Sequence, residues 1–101
     1  MKNYHPKKTR SFQVYEDPGH AWVKVPKKFL RQIIGENWRS VFTHFSYERN
    51  EYVYLEEDED VSRFRRWCIA YGIRPILKPP TSDCNRSSRI RNYSRLQPIG
   101  D

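Results

Sequence analysis

Residues 41–72 (VFTHFSYERNEYVYLEEDEDVSRFRRWCIAYG) set the tightest limit on the fold. Two strand-like runs, an acidic run and one helical period follow one another without a gap. The apolar and aromatic residues fall on either side of Glu48-Arg49-Asn50-Glu51, the pattern of a β-hairpin. Val61, Phe64, Cys68 and Tyr71 then recur at +3, +4 and +3, one face of an α-helix. Asp60 is placed to cap that helix, the carboxylates of residues 56–60 suit the positive end of its dipole, and Gly72 is placed to end it. The hairpin register stays open. A two-residue loop groups Phe45 and Tyr47 with Tyr52 and Tyr54 and builds a tyrosine face. A three-residue loop groups them with Val53 and Leu55 and gives the better core.

A similar plan precedes this stretch. Phe12 to Tyr15 and Ala21 to Val25 read as strands, joined by Asp17-Pro18-Gly19-His20. Proline presets the first central position of a turn and glycine supplies positive φ at the second, as in a type II turn. With Pro18-Gly19 as the loop, Glu16 faces Ala21, Tyr15 faces Trp22, Val14 faces Val23, Gln13 faces Lys24 and Phe12 faces Val25. Phe12, Val14, Val23 and Val25 then share a core face, and Tyr15 and Trp22 form a cross-strand aromatic pair on the other. Pro26 stands where a helix can begin, Phe29, Leu30, Ile33 and Ile34 give its apolar face, and Gly35 ends it. Lys27 and Lys28 at its start oppose the helix dipole, a conflict that solvent screening is expected to relieve.

The expected fold is therefore α+β: a four-stranded antiparallel sheet of two hairpins with two helices on one face, in the order ββαββα. Ile73 to Leu77 reads as a short edge strand, and Pro75, Pro79 and Pro80 forbid a further helix. The expected boundaries are a basic N-terminal arm over 1–11, a single domain over 12–78 and an Arg/Ser-rich flexible tail over 79–101.

Charge is segregated along the chain. Residues 1–40 carry net +6, residues 41–62 net −6 and residues 63–101 net +7. The total of +7 suits nucleic acid, an acidic lipid surface or an acidic protein as partner, and segments of opposite sign can also pair with each other on folding. Cys68 falls on the apolar helix face as a small core side chain, and Cys84 lies in a polar stretch, so no disulfide framework is expected. Residues 1–10 carry charge with no apolar run behind them, and no stretch approaches a membrane span.

Little in the sequence suggests catalysis. His5, His20 and His44 are dispersed, and no His/Cys/Asp cluster has metal-ligand spacing, so neither a metal nor another cofactor is expected. His20 beside Glu16 or Asp17 is the one acid–base arrangement visible, and an exposed turn histidine accounts for it better. The acidic run lacks the alternating ligands and central glycine of an EF-hand loop. A non-enzymatic binding module is the expectation. Lys27, Lys28 and Arg31 on the first helix and Arg63, Arg65 and Arg66 on the second are candidate phosphate contacts. Arg86, Arg89, Arg91 and Arg95 extend that set into the tail. Tyr15, Trp22 and Tyr93 are the candidate contacts among the aromatics, with Tyr52 and Tyr54 as further stacking candidates where their face is open.

Three pieces, Glu16-Asp17-Pro18-Gly19-His20-Ala21-Trp22, Tyr52-Val53-Tyr54-Leu55-Glu56-Glu57-Asp58 and Ser88-Arg89-Ile90-Arg91-Asn92-Tyr93, resemble a group of small uncharacterised proteins of tailed bacteriophages, prophages and plasmids. The resemblance runs from about Tyr15 to Tyr93. The group has a glycine where Ala21 stands and a cysteine where Glu59 stands, so no role for a thiol at position 59 carries over. The group brings no established activity. What the resemblance implies is phage origin, a host bacterial cytoplasm and a basic tail that belongs to the working protein. The expected function is nucleic-acid binding by a small basic accessory protein. The alternative is an adaptor or inhibitor of a host bacterial protein, whose Arg-rich tail folds on contact through Ile90, Tyr93 and Leu96.

Overall fold

The alternation read around Pro18-Gly19 sets the first hairpin. In a computed structural model, which describes residues 8–80 and 88–97, β1 (Lys8–Glu16) pairs antiparallel with β2 (Ala21–Pro26). Glu16 faces Ala21, Tyr15 faces Trp22 and Val14 faces Val23, as the two-residue loop requires. The turn itself differs from the type II expectation, because Gly19 does not take a positive φ. Its conformation is set by the Asp17 carboxylate, which accepts the backbone N–H groups of Gly19 (3.0 Å) and His20 (3.1 Å). Such side-chain capture of backbone two and three residues on is the usual Asp device in turns.

Strand β1 begins at Lys8, not Phe12, so residues 8–11 of the expected arm are part of the sheet. They pair in parallel with β5 (Ile73–Lys78), Lys8 opposite Ile73 through Gln13 opposite Lys78. The second hairpin joins β3 (Tyr47–Arg49) to β4 (Tyr52–Glu56), with Tyr47 opposite Tyr54 and Arg49 opposite Tyr52. Its loop is Asn50-Glu51, and Asn50 takes the left-handed φ of 54° that asparagine tolerates. The register is thus the one that builds a tyrosine face. A last short strand, β6 (Ser94–Arg95), pairs with β3. The sheet has six strands in the order β5-β1-β2-β4-β3-β6, and it is mixed, which replaces the expected four-stranded antiparallel sheet and extends the ββαββα order by two strands.

Helices α1 (Lys27–Ile33) and α2 (Glu59–Tyr71) lie on one face. Phe12, Val23, Val25, Val53 and Leu55 of the sheet meet Phe29, Leu30 and Ile33 of α1 and Val61, Phe64 and Cys68 of α2. Phe64 stands edge-on to Phe12 (5.0 Å between centroids) and to Phe29 (6.1 Å). Ring pairs at such geometry add to the apolar burial that holds a chain of this size. Tyr71 is the exception to the helix-face reading: it is half exposed, and its hydroxyl lies 3.4 Å from the Gln32 side chain. Gly72 ends α2 in the left-handed conformation (φ 99°), with its N–H on the carbonyls of Cys68 and Ile69. Cys68 is fully buried, and burial pushes its thiol up to about 12. Cys84 lies outside the described residues.

The tail supplies the main departure from the sequence reading. Residues 88–97 are folded onto the chain through a 3-10 turn at Arg89–Asn92 followed by β6. Ile90 and Tyr93 pack on Trp22, Tyr47 and Tyr54, on the sheet face opposite the helices. Leu96 is buried in the helix-side core. The segment therefore runs from one face of the sheet to the other around the β3 edge. This is why the tyrosine register is stable: the face it builds is covered.

Candidate nucleic-acid interface

The fold sorts the basic side chains into those neutralised internally and those left to solvent. Lys27 reaches Glu48 Oε1 at 2.7 Å, and Arg39 binds both Glu48 oxygens at 2.9 and 3.0 Å. The lysine at the start of α1 is therefore relieved by a carboxylate rather than by solvent. The backbone N–H of Gln97 also donates to Glu48 (3.2 Å), so this residue ties α1, the 3-10 turn at Trp38–Val41, β3 and the end of the tail segment. Burial alone would raise the Glu48 carboxyl, but the Arg39 and Lys27 hydrogen bonds outweigh it and lower its pKa to about 2. A carboxyl depressed by folding contributes stability that is present above its unfolded pKa and lost as pH falls through the folded one. Wild type is expected to lose its stability advantage over Glu48→Gln between about pH 4.5 and 2, read as urea midpoints at each pH. Parallel pH curves for the two proteins would remove the clasp.

Arg63 is likewise occupied, with Nη1 3.1 Å from Asp60 and Nη2 3.1 Å from Glu59. Asp60 does not cap α2. It is fully buried and accepts hydrogen bonds from the backbone N–H and hydroxyl of Thr43 and from the Ser46 hydroxyl. Glu56 does the capping instead, accepting the N–H groups of Asp58 (2.9 Å) and Glu59 (3.1 Å). In the tail, Arg91 forms a two-pronged pair with Asp17, which also accepts the N–H of Ser88 at 2.9 Å. The Arg91 hydrogen bond, against burial and with help from the backbone donors, holds the Asp17 carboxyl well below the usual range.

The expected stacking residues are largely consumed by the fold. Trp22 is 2% exposed, edge-to-face with Tyr47, while Tyr15 and Tyr93 are half-buried against Tyr54. Burial, with the neighbouring Tyr93 and Tyr15, pushes the Tyr54 hydroxyl up to about 12. Tyr52, at the end of this face, stays exposed.

What remains is distributed over two surfaces. On the helix side Lys28, Arg31, Arg65 and Arg66 are exposed and form no ion pair among the described residues. They accompany Trp67, Ile69 and Tyr71, all exposed; the expected apolar stripe took in Tyr71 and left out Trp67 and Ile69, and the i, i+4 spacing of Trp67 and Tyr71 was the available signal. On the tail side, cations sit over aromatic rings: Lys24 over Tyr52 (4.2 Å), Arg49 over Tyr93 (5.0 Å) and Arg95 over Tyr47 (4.7 Å). Arg89 is exposed beside them, and strand alternation puts Arg74 and Lys78 of β5 on the same face. Lys24 and Arg49 are further candidate contacts that sequence reading missed. Only their strand parity, opposite to Val23, Val25 and Val53, could have found them. Arg86 lies outside the described residues.

A cavity of about 400 Å³ opens at one end of this tail side. His20, Trp22, Phe45 and Tyr47 form its aromatic walls. Arg91 and Arg95 enter it from the tail segment, and Glu56, Asp58 and Glu59 from the β4–α2 junction. His20 lies near Trp22 (6.0 Å between rings), and Asp17 accepts its backbone N–H while bound by Arg91. Among the described residues, no three His, Cys, Asp or Glu side chains gather to hold a metal ion, and no helix is long and apolar enough to cross a membrane. No family model, curated protein or solved structure matches the chain.

Proposed function

We propose that this is a small basic accessory protein of phage origin that binds single-stranded nucleic acid across the tail side of its sheet, without catalysis. One observation carries the reading. Lys24, Arg49 and Arg95 each lie over a tyrosine on one face, with no carboxylate in ion-pair reach among the described residues. Such a surface offers phosphate donors beside the exposed ring of Tyr52, the combination that tracks a single strand. The tail arginines serve it partly by holding the surface together, as Arg91 does, and partly by direct contact, as Arg89 and Arg95 do.

If about four phosphates are neutralised, a slope near −0.7 per contact predicts a roughly fifty-fold fall in affinity between about 50 and 200 mM salt. Fluorescence anisotropy with labelled single-stranded oligonucleotides measures it. The triple variant Lys24→Ala/Arg49→Ala/Arg89→Ala should flatten the log–log slope by about 2 units. A wild-type affinity indifferent to salt, or a triple variant with an unchanged slope, would sink the proposal.

A host bacterial protein as partner is the second reading, favoured by Trp67, Ile69 and Tyr71 standing exposed beside Arg65 and Arg66. Aromatic and arginine side chains are the groups that anchor protein interfaces. In this form the tail does not fold on contact, because residues 88–97 already pack within the chain. Loss of a co-purifying protein in Trp67→Ala/Tyr71→Ala, with oligonucleotide binding intact after nuclease treatment, would select it.

A further inference from the structure

The cavity at the end of the tail side has a donor and acceptor pattern that plain electrostatic binding does not use. Its volume of about 400 Å³ falls within the range of roughly 300–1,000 Å³ typical of small-ligand clefts. Phe45 is half exposed at its wall, and Trp22 and Tyr47 meet edge-to-face behind it. Arg95 has a single hydrogen bond among the described residues, from Nη1 to the His44 carbonyl at 3.3 Å, which leaves most of its guanidinium donors unspent. The Asp58 side chain accepts no hydrogen bond among the described residues. Arginine and carboxylate thus line one aromatic cavity without forming an ion pair with each other.

We infer that this cavity is a base-binding site that takes guanine. A ring filling it would stack on the aromatic wall, as unpaired bases do on protein side chains. The arginine requires two adjacent acceptors, which guanine presents as O6 and N7. The carboxylate requires adjacent donors, which guanine presents as N1–H and its exocyclic N2 amine. Adenine puts a donor, N6, beside its N7 acceptor and has no N–H at N1; cytosine offers adjacent acceptors at O2 and N3 but no ring N–H beside its N4 amine, and uracil has neither paired acceptors nor paired donors. Guanine alone satisfies both charged walls at once. The inference rests on the nucleic-acid reading and gives it a base preference. The same chemistry also fits a free guanine nucleotide.

The test separates these sources. Isothermal titration of wild type with GMP, AMP, CMP and UMP is run beside anisotropy with all-thymine oligonucleotides, with and without one central guanine. GMP should bind at least tenfold tighter than AMP, and the single guanine should tighten oligonucleotide binding by a similar factor. Phe45→Ala and Arg95→Ala should each weaken GMP tenfold or more, and Asp58→Asn should erase the GMP/AMP ratio. Lys24→Ala/Arg49→Ala/Arg89→Ala should keep GMP binding while losing oligonucleotide affinity. Equal binding of GMP and AMP, or oligonucleotide binding with no guanine preference, overturns the pocket and leaves the nucleic-acid reading standing. GMP binding with no oligonucleotide binding overturns the nucleic-acid reading and assigns the cavity to a free nucleotide.

Discussion

Asp60→Ala is expected to lower folding stability by about 3–5 kcal/mol, the cost of breaking a buried charged network by removing one partner. Asp60 is fully buried and receives the Thr43 N–H at 3.0 Å, the Thr43 hydroxyl at 2.9 Å, the Ser46 hydroxyl and Arg63 at 3.1 Å. Without it, those donors lose their acceptor, and the Ser46 hydroxyl is inside the protein. Against a total stability of about 5–15 kcal/mol for a typical domain, that leaves little margin. Asp60→Asn keeps the shape but replaces one acceptor oxygen by a donor, so a smaller loss is expected. Urea denaturation of the three proteins measures the series. A loss below about 1 kcal/mol for Asp60→Ala would mean that the carboxylate does not hold residues 43–46.

Asp17→Ala should cost about 2–3 kcal/mol, less than Asp60→Ala because its main partner Arg91 is partly solvent-exposed and that pair is screened. The more telling effect is local. Asp17 is the point where the first hairpin holds the tail segment, through Arg91 and the Ser88 N–H. Amide hydrogen exchange at residues 90–96 should accelerate much more than exchange in α2, and Trp22 should gain solvent access. Uniform acceleration across the chain would show that the tail segment and the sheet open as one unit.

The parts of the fold legible in the sequence were those decided by neighbours along the chain. The pairing around Pro18-Gly19 followed from alternation over ten residues, and the buried stripe of α2 from a helical period. The register of the second hairpin stayed open because Tyr47 and Tyr54 owe their burial to Ile90, thirty-six residues beyond Tyr54. Asp60 looked like a cap because its sequence neighbours are a helix start; its partners Thr43 and Ser46 lie across a hairpin. The start of β1 depends on β5, a parallel partner more than sixty residues away. At the candidate site the positive charge was legible, but its partition was not. Which arginines are spent on Asp17, Glu48 or Asp60 is a tertiary fact. So is the exposure of Trp67 and Tyr71 in place of Trp22 and Tyr15.

The path of residues 88–97 around the β3 edge also has a consequence for synthesis. These residues are translated after every other described part of the molecule, and they close both layers, Ile90 on one and Leu96 on the other. At about 5–20 residues per second, the ribosome needs roughly 1–4 s to pass from Lys78 to Leu96. A hairpin forms within microseconds, far faster than residues 88–97 are added, so Trp22, Tyr47 and Tyr54 go without the cover of Ile90 and Tyr93 until that segment emerges. The newborn protein thus has a stickier surface than the folded one, and residues 88–97 are what seal it.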